Sequence, residues 1–150
     1  MNRYEVIKDE VYQILTTNCF ASKRKNAFEH LFSVTAMIQY LAKIRHLDLE
    51  LASIIGILHD LATYKFNSSF DHANRSAIIA KDLLEKSNLF TAKEIELIFV
   101  AIKNHSNKKQ IDDNYSELIK DADILVQYLN EPEALLSPEK KQRVDKLIGS

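Results

Sequence analysis

Residues 51–65 read LASIIGILHDLATYK, and the fold turns on how this stretch is read. Leu51, Ala52, Ser53, Ile54, Ile55, Gly56, Ile57 and Leu58 form a run with the character of a buried element. The run ends on an adjacent histidine and aspartate, His59 and Asp60. Burying that pair without partners costs several kcal/mol, so either it faces water or something nearby compensates it. Gly56, four residues before Asp60, is an expensive choice inside a helix, about 1 kcal/mol worse than alanine. It fits either a close helix–helix contact or room beside Asp60 for an ion or ligand.

The chain has 150 residues with 46% apolar content, enough for one domain, residues 1–150, with its own core. It contains two glycines and two prolines. Antiparallel β folds need many turns built from these residues, so their scarcity favours long helices and an all-α fold. Apolar spacing supports a compact bundle of about seven helices. Tyr4, Ile7, Val11, Ile14 and Leu15 mark the first. Asn26 with Glu29 resembles a capping box opening a second, to about Ile44. Asp48 caps a third that ends near His59-Asp60, and Asp71 a fourth through about Leu84. Thr91 with Glu94 is a capping box for a fifth, ending near Asn104. A sixth runs from about Ser116 to Leu129. Ser137-Pro138 opens a C-terminal helix over about 138–148 that Gly149 closes. The stretches from Thr63 to Phe70 and from Ser106 to Tyr115 are irregular, and they are candidate pocket walls.

A formal net charge of -1 offers no basic field for a nucleic acid polymer. The short basic pieces Lys23-Arg24-Lys25 and Lys108-Lys109 read as solvated loops. The single cysteine, Cys19, excludes an intramolecular disulfide and fits a structural thiol in a reducing compartment. The N-terminus lacks the apolar core of a signal peptide, and no run approaches the ~20 residues of a membrane span. The expectation is a soluble cytoplasmic protein with no membrane partner. The first and last amphipathic helices are free to pack on the core or on a second copy of the chain, as a homodimer.

The five histidines differ in their company. His30 shares a stripe with Val34, Met37 and Leu41 and points inward. His105 extends the stripe Ile95, Ile98, Ile102, where a cationic helix cap is the plainer role. His72 lies in the first turn of its helix, where the dipole favours the neutral, metal-binding imidazole. His46, in a polar connection, reads as a surface residue. In the sixth helix Asp121 aligns with Leu118 and Leu125, and Asp123 with Ile119 and Val126, so periodicity leaves either free to face the interior. Neutral imidazoles and ionised carboxylates gathered in a helical core suit a hard or borderline divalent cation, which would compensate the buried charge. One cysteine excludes a Cys-rich zinc site.

The order His30, then His59-Asp60, then a distant aspartate opening an apolar helical run resembles the HD-domain metal-dependent phosphohydrolase superfamily. The segments EHLFSVTAMIQYLA, ASIIGILHDLA, DHANRSAIIAKDLL, AIKNHS and IKDADILVQYL carry the resemblance, over a core of about residues 27–130. It implies a helical fold holding a metal through His30, His59, Asp60 and the late aspartate. The family's Ala-Asp order maps that aspartate onto Asp123, with Asp121 the alternative. Some branches hold a second metal with two further histidines, which His72 and His105 match, and Asp60 would then bridge both ions. The branch that degrades cyclic dinucleotides carries a lysine three residues after the Asp and paired histidines later. Here Lys65 comes five after and Asn104-His105 replaces the pair, which counts against that branch.

The resemblance implies hydrolysis of a phosphate ester or anhydride in a nucleotide or other small phosphorylated metabolite, with Asp60 orienting the attacking water. Mn, Fe, Co, Ni and Zn suit the donor set and Mg is allowed, as one ion or two. Lys65, Arg75 and Lys103 are candidates for holding phosphate oxygens. The rival expectations are a di-iron oxygenase of HD type and a non-catalytic, metal-stabilised helical binding module.

Overall fold

In a computed structural model of the protein, which describes residues 1–149, the apolar run is the central helix. Residues 51–58 of α3 (Leu49–Leu58) are all buried. A helix apolar on every side needs neighbours on every side. They are α1 (Asn2–Asn18), α2 (Ala21–Ile44), α5 (His72–Ser87), α6 (Ala92–Asn104) and α7 (Asn114–Asn130). The five-residue α4 (Leu61–Lys65) joins α3 to α5, and α8 (Pro138–Ile148) packs outside α7. The described residues form eight helices and no strand. They comprise the seven expected helices and α4, which forms where Leu61 and Ala62 are buried and an irregular segment was expected to follow. Among the described residues no helix is long and apolar enough to cross a membrane.

Local signals set most boundaries. Asp48 accepts from the Leu51 amide, and Thr91 and Glu94 complete a reciprocal capping box. Gly149 closes α8 at a φ of 68°, where a side chain would be strained. Three expectations need correction. The Asn26–Glu29 box does not form, because α2 begins at Ala21 and the amides such a box would satisfy already have helical carbonyl partners. Asp71 precedes α5 in a left-handed conformation, and its carboxylate accepts from Asn74 Nδ2 instead of a backbone amide. Ser137 precedes α8 without a side-chain cap bond.

The two basic pieces are not solvated loops. Lys23-Arg24-Lys25 lies within α2, and Arg24 donates to the carbonyls of Leu15 and Thr16 at the end of α1, at 3.1 and 2.8 Å. That satisfies carbonyls a helix end leaves open. Lys108 is buried. Cys19 is buried, and burial pushes its thiol pKa up.

Gly56 is a packing residue. A Cβ there would stand 2.9 Å from Ile38 Cγ2 and 3.0 Å from Thr35 Cα, so α2 crosses α3 at its glycine and no space for an ion exists on that side. Gly56→Ala is expected to destabilise the fold by about 1–3 kcal/mol through overpacking. A urea melt with an unchanged midpoint would contradict this.

A buried ion-pair network fixes α7 and the segment before it. Arg143 of α8 reaches Glu117 at 2.8 Å and Asp121 at 3.1 Å, and Lys120, fully buried, reaches Asp112 at 2.6 Å and Glu117 at 3.2 Å. Burial would raise the Glu117 carboxyl, but hydrogen bonds from Arg143, the Asp112 amide and Lys120 hold it below the usual range. Its folded pKa is therefore below its unfolded value of about 4.3. The stabilisation is complete above that value and is lost as pH falls through the folded pKa. Glu117→Gln should cost about 1–3 kcal/mol at neutral pH. The gap between wild type and variant in urea melts should narrow towards pH 3, and a gap independent of pH would contradict the ionised pairing.

Candidate metal centre

The His-Asp pair sits at the break between α3 and α4. His59 ends α3 in helical geometry, and Asp60 follows at φ -118° and ψ 16°, turning the chain into α4. Asp60 occupies the capping position of α4 but makes no side-chain cap bond. The buried Ser76 hydroxyl of α5 accepts from the Ala62 amide at 3.0 Å instead. The Asp60 carboxylate is thus left for the histidines.

Three of those histidines use one local device. His59 Nδ1 donates to Gly56 O at 2.7 Å, His105 Nδ1 to Ile102 O at 2.6 Å, and His72 Nδ1 to Ser69 O at 3.2 Å. Each partner is a carbonyl three residues back. A carbonyl only accepts, so each Nδ1 carries the proton and each neutral ring turns a lone pair outward on Nε2. Bonds of this kind orient metal-ligating imidazoles.

The lone pairs converge on Asp60 from two sides. Asp60 Oδ2 lies 2.8 Å from His30 Nε2 and 3.3 Å from His59 Nε2. The two Nε2 atoms are 3.2 Å apart, and Asp123 Oδ1 stands 3.6 Å from His30 Nε2 and 3.5 Å from His59 Nε2. Asp60 Oδ1 lies 3.0 Å from His105 Nε2 and 3.5 Å from His72 Nε2. Two groups able to hold a metal ion therefore share Asp60: His30, His59, Asp60 and Asp123 on one side, and Asp60, His72 and His105 on the other.

The donor set fits divalent cations. Acceptor faces acceptor around His59, and a positive charge must lie between them. Donor atoms about 2.0–2.2 Å from an ion stand about 3 Å apart at right angles, which the separations of 2.8 to 3.6 Å match. Without an ion, a proton serves. Burial opposes charge on His59, but Asp60 and Asp123 outweigh it and push its pKa to about 10. Burial likewise opposes ionisation of both aspartates. The charge of His59 holds the Asp60 carboxyl well below the usual range. Lys108 and His59 do the same for Asp123. Burial lowers the pKa of His105, which keeps it neutral rather than a cationic helix cap.

The cluster opens on one side. His59 and His105 are buried, whereas His30 and His72 keep 28% and 31% of their side chains exposed and mark the mouth. His46 is exposed, as expected. Asp121 turns away from the cluster into ion pairs with Arg45 at 2.7 Å and Arg143 at 3.1 Å. Of the two aspartates of α7, Asp123 is the one that joins the histidines.

The three phosphate candidates separate. Arg75, one turn beyond His72, stacks its guanidinium 4.2 Å from the Phe66 ring centroid, and Lys65 Nζ lies 5.7 Å from the same centroid. Both therefore gather beside the α4–α5 connection. Lys103 is exposed on the last turn of α6, and no contact joins it to the cluster among the described residues. The irregular segment before α7 walls a cleft of about 270 Å³ with α8, lined by Lys108, Lys109, Ile111 and Arg143 but by none of the clustered histidines. Sequence reasoning missed three residues at the centre. Ser76 takes over the cap, Lys108 pairs with Asp123 at 2.9 Å, and Tyr64 has its pKa raised by burial and by the charges of Asp60 and Asp123. Ser76 interrupts an alanine stripe with Ala73, Ala77 and Ala80, which is a usable signal; Lys108 has none.

Fold and site together define an all-helical protein with a shared-aspartate His/Asp cluster able to hold divalent metal. The family profile described as HD domain matches residues 27–127, and the chain belongs to that family. The structure is similar to the crystal structure of a predicted HD superfamily hydrolase from an uncultured Thermotogales bacterium. The TM-score is 0.65 at 20% identity, over 97% of this chain and 90% of that one, a likeness of fold. No curated protein matches the chain.

An ion that binds only the folded chain raises its stability, by about 2.7 kcal/mol at a hundredfold excess over Kd. Mn²⁺ is expected to raise the melting temperature of wild type and of Asp121→Asn, but not of Asp60→Asn. A metal-dependent rise in Asp60→Asn equal to wild type would contradict the assignment.

Proposed function

We propose that the protein is a metal-dependent phosphohydrolase acting on a phosphate ester or anhydride of a small metabolite, a nucleotide among the candidates. The observation that carries this reading is the Asp60 carboxylate, with one oxygen facing each half of the cluster. His30, His59, Asp60 and Asp123 would hold one ion, and Asp60, His72 and His105 a second. When bound, such ions lower the pKa of water and draw charge from phosphoryl oxygens.

The chain's own residues supply the rest. Asp60, between the two sides, is placed to orient the attacking water. His30 and His72, at the open side, set where the phosphate enters. Arg75 and Lys65, beside the His72 end, are placed to hold phosphate oxygens, and the guanidinium fork does this with two parallel bonds. Phe66 keeps 44% of its surface exposed beneath them and steadies Arg75 by its ring face.

A second reading is favoured by the same sharing of Asp60. Four histidines and two aspartates in two linked groups also suit a pair of irons that activate oxygen. The readings part on one comparison: phosphate release needs no oxygen, and the oxygenase does.

The test is phosphate release from a panel of phosphorylated metabolites with Mn, Fe, Co, Ni and Mg supplied in turn, with and without oxygen. Hydrolysis is expected in anaerobic buffer, falling at least about a hundredfold in His59→Ala and Asp60→Ala. Arg75→Ala should raise KM more than it lowers kcat. Full turnover in either alanine variant, or turnover only in oxygen, would sink the phosphohydrolase reading.

A further inference from the structure

We propose that Lys108 is a positioning residue that fixes which oxygen of Asp123 the metal cluster receives. Lys108 follows His105 by three residues, in the turn after α6, and the chain doubles back so that its ammonium lies beneath the histidine it follows. Nζ donates to His105 O at 2.6 Å and to Asp123 Oδ2 at 2.9 Å. Its side chain is 6% exposed, so it is not the flexible end of a surface lysine. Asp123 Oδ2 is committed to Lys108, and Oδ1 alone faces His30 and His59.

The segment that carries Lys108 is held by two further buried cations. Arg143 Nε donates to Lys108 O at 3.0 Å, and Arg143 Nη2 donates to Gln110 O at 3.0 Å. Lys120 Nζ donates to the same Gln110 carbonyl at 2.7 Å. Buried cations are costly, and these two spend hydrogen bonds on the backbone either side of Lys109. The result is a rigid chain from α8 and α7, through Lys108, to the carboxylate. A carboxylate without such an anchor turns about a broad terminal torsion and presents either oxygen. Lys108 also joins the two halves of the centre, because His105 faces Asp60 Oδ1 while Asp123 faces the Oδ2 side.

This inference rests on the reading that the His30, His59, Asp60 and Asp123 group holds an ion, and the test uses binding rather than turnover. Co²⁺ is titrated into metal-free protein, and affinity is read from its visible absorption. Lys108→Met should weaken the tighter Co²⁺ site by about 10–100-fold and change the shape of its spectrum. Lys109→Met, one residue on and exposed, should leave both unchanged. Because Lys108 acts through Asp123, its loss in an Asp123→Asn background should add less than about twofold, whereas an independent structural effect would add in full. Metal-free melting and circular dichroism report folding, and Lys108→Gln, judged by the same criteria, replaces the methionine variant if that one does not fold. Equal Co²⁺ binding in wild type and Lys108→Met, or full additivity with Asp123→Asn, overturns the role of Lys108 alone. A wild-type chain that binds no Co²⁺ overturns the metal reading and this role with it.

Discussion

The centre depends on the crowding of acceptor atoms around Asp60. Its two oxygens face four imidazole nitrogens, and for His59, His72 and His105 the backbone already holds the proton on the far side of the ring. Lone pairs at 2.8 to 3.5 Å from carboxylate oxygens repel one another unless a cation stands among them. The rise in the His59 pKa states the same fact in metal-free form: buried anions hold a proton on a ring that burial alone would strip. A divalent cation meets the requirement with more charge and more contacts.

The fold assembles this crowding at helix ends. His59 closes α3, His105 closes α6 and His72 opens α5, so three rings come from places where the chain leaves or enters a helix. At the end of α3 a carbonyl is left open and the His59 ring Nδ1–H takes it, whereas the His105 and His72 rings share Ile102 O and Ser69 O with their own backbone amides. Only His30 and Asp123 come from helix interiors. The close crossing of α2 over α3 at Gly56 sets His30 against His59, and the Arg143–Glu117–Asp121 network orients α7 and with it Asp123. Charge pairs distant from the centre therefore help to place its ligands.

Much of this was legible in the sequence because it is local. The apolar run, the caps at Asp48 and Thr91, and the scarcity of glycine and proline point to helices of nearly the observed extents. The ordered histidines and aspartates identified the members that the structure brings together. What stayed hidden depends on distant partners. Asp121 and Asp123 are equivalent by periodicity, and the choice is made by Arg45, 76 residues away from Asp121, and by Arg143. Lys108 looks like half of an exposed lysine pair, and only the turn after α6 buries it. The false capping box at Asn26 shows the converse, a local pattern overridden because good helix-forming residues precede it and Arg24 ties their helix to α1.

The most direct test of the central claim is anomalous diffraction from a crystal of the protein loaded with Mn²⁺. The account predicts a peak among His30, His59, Asp60 Oδ2 and Asp123 Oδ1, and, where the second group fills, another among Asp60 Oδ1, His72 and His105. A loaded protein whose metal lies elsewhere, or a His59–Asp60 pair that stays free of metal at saturating Mn²⁺, would contradict it.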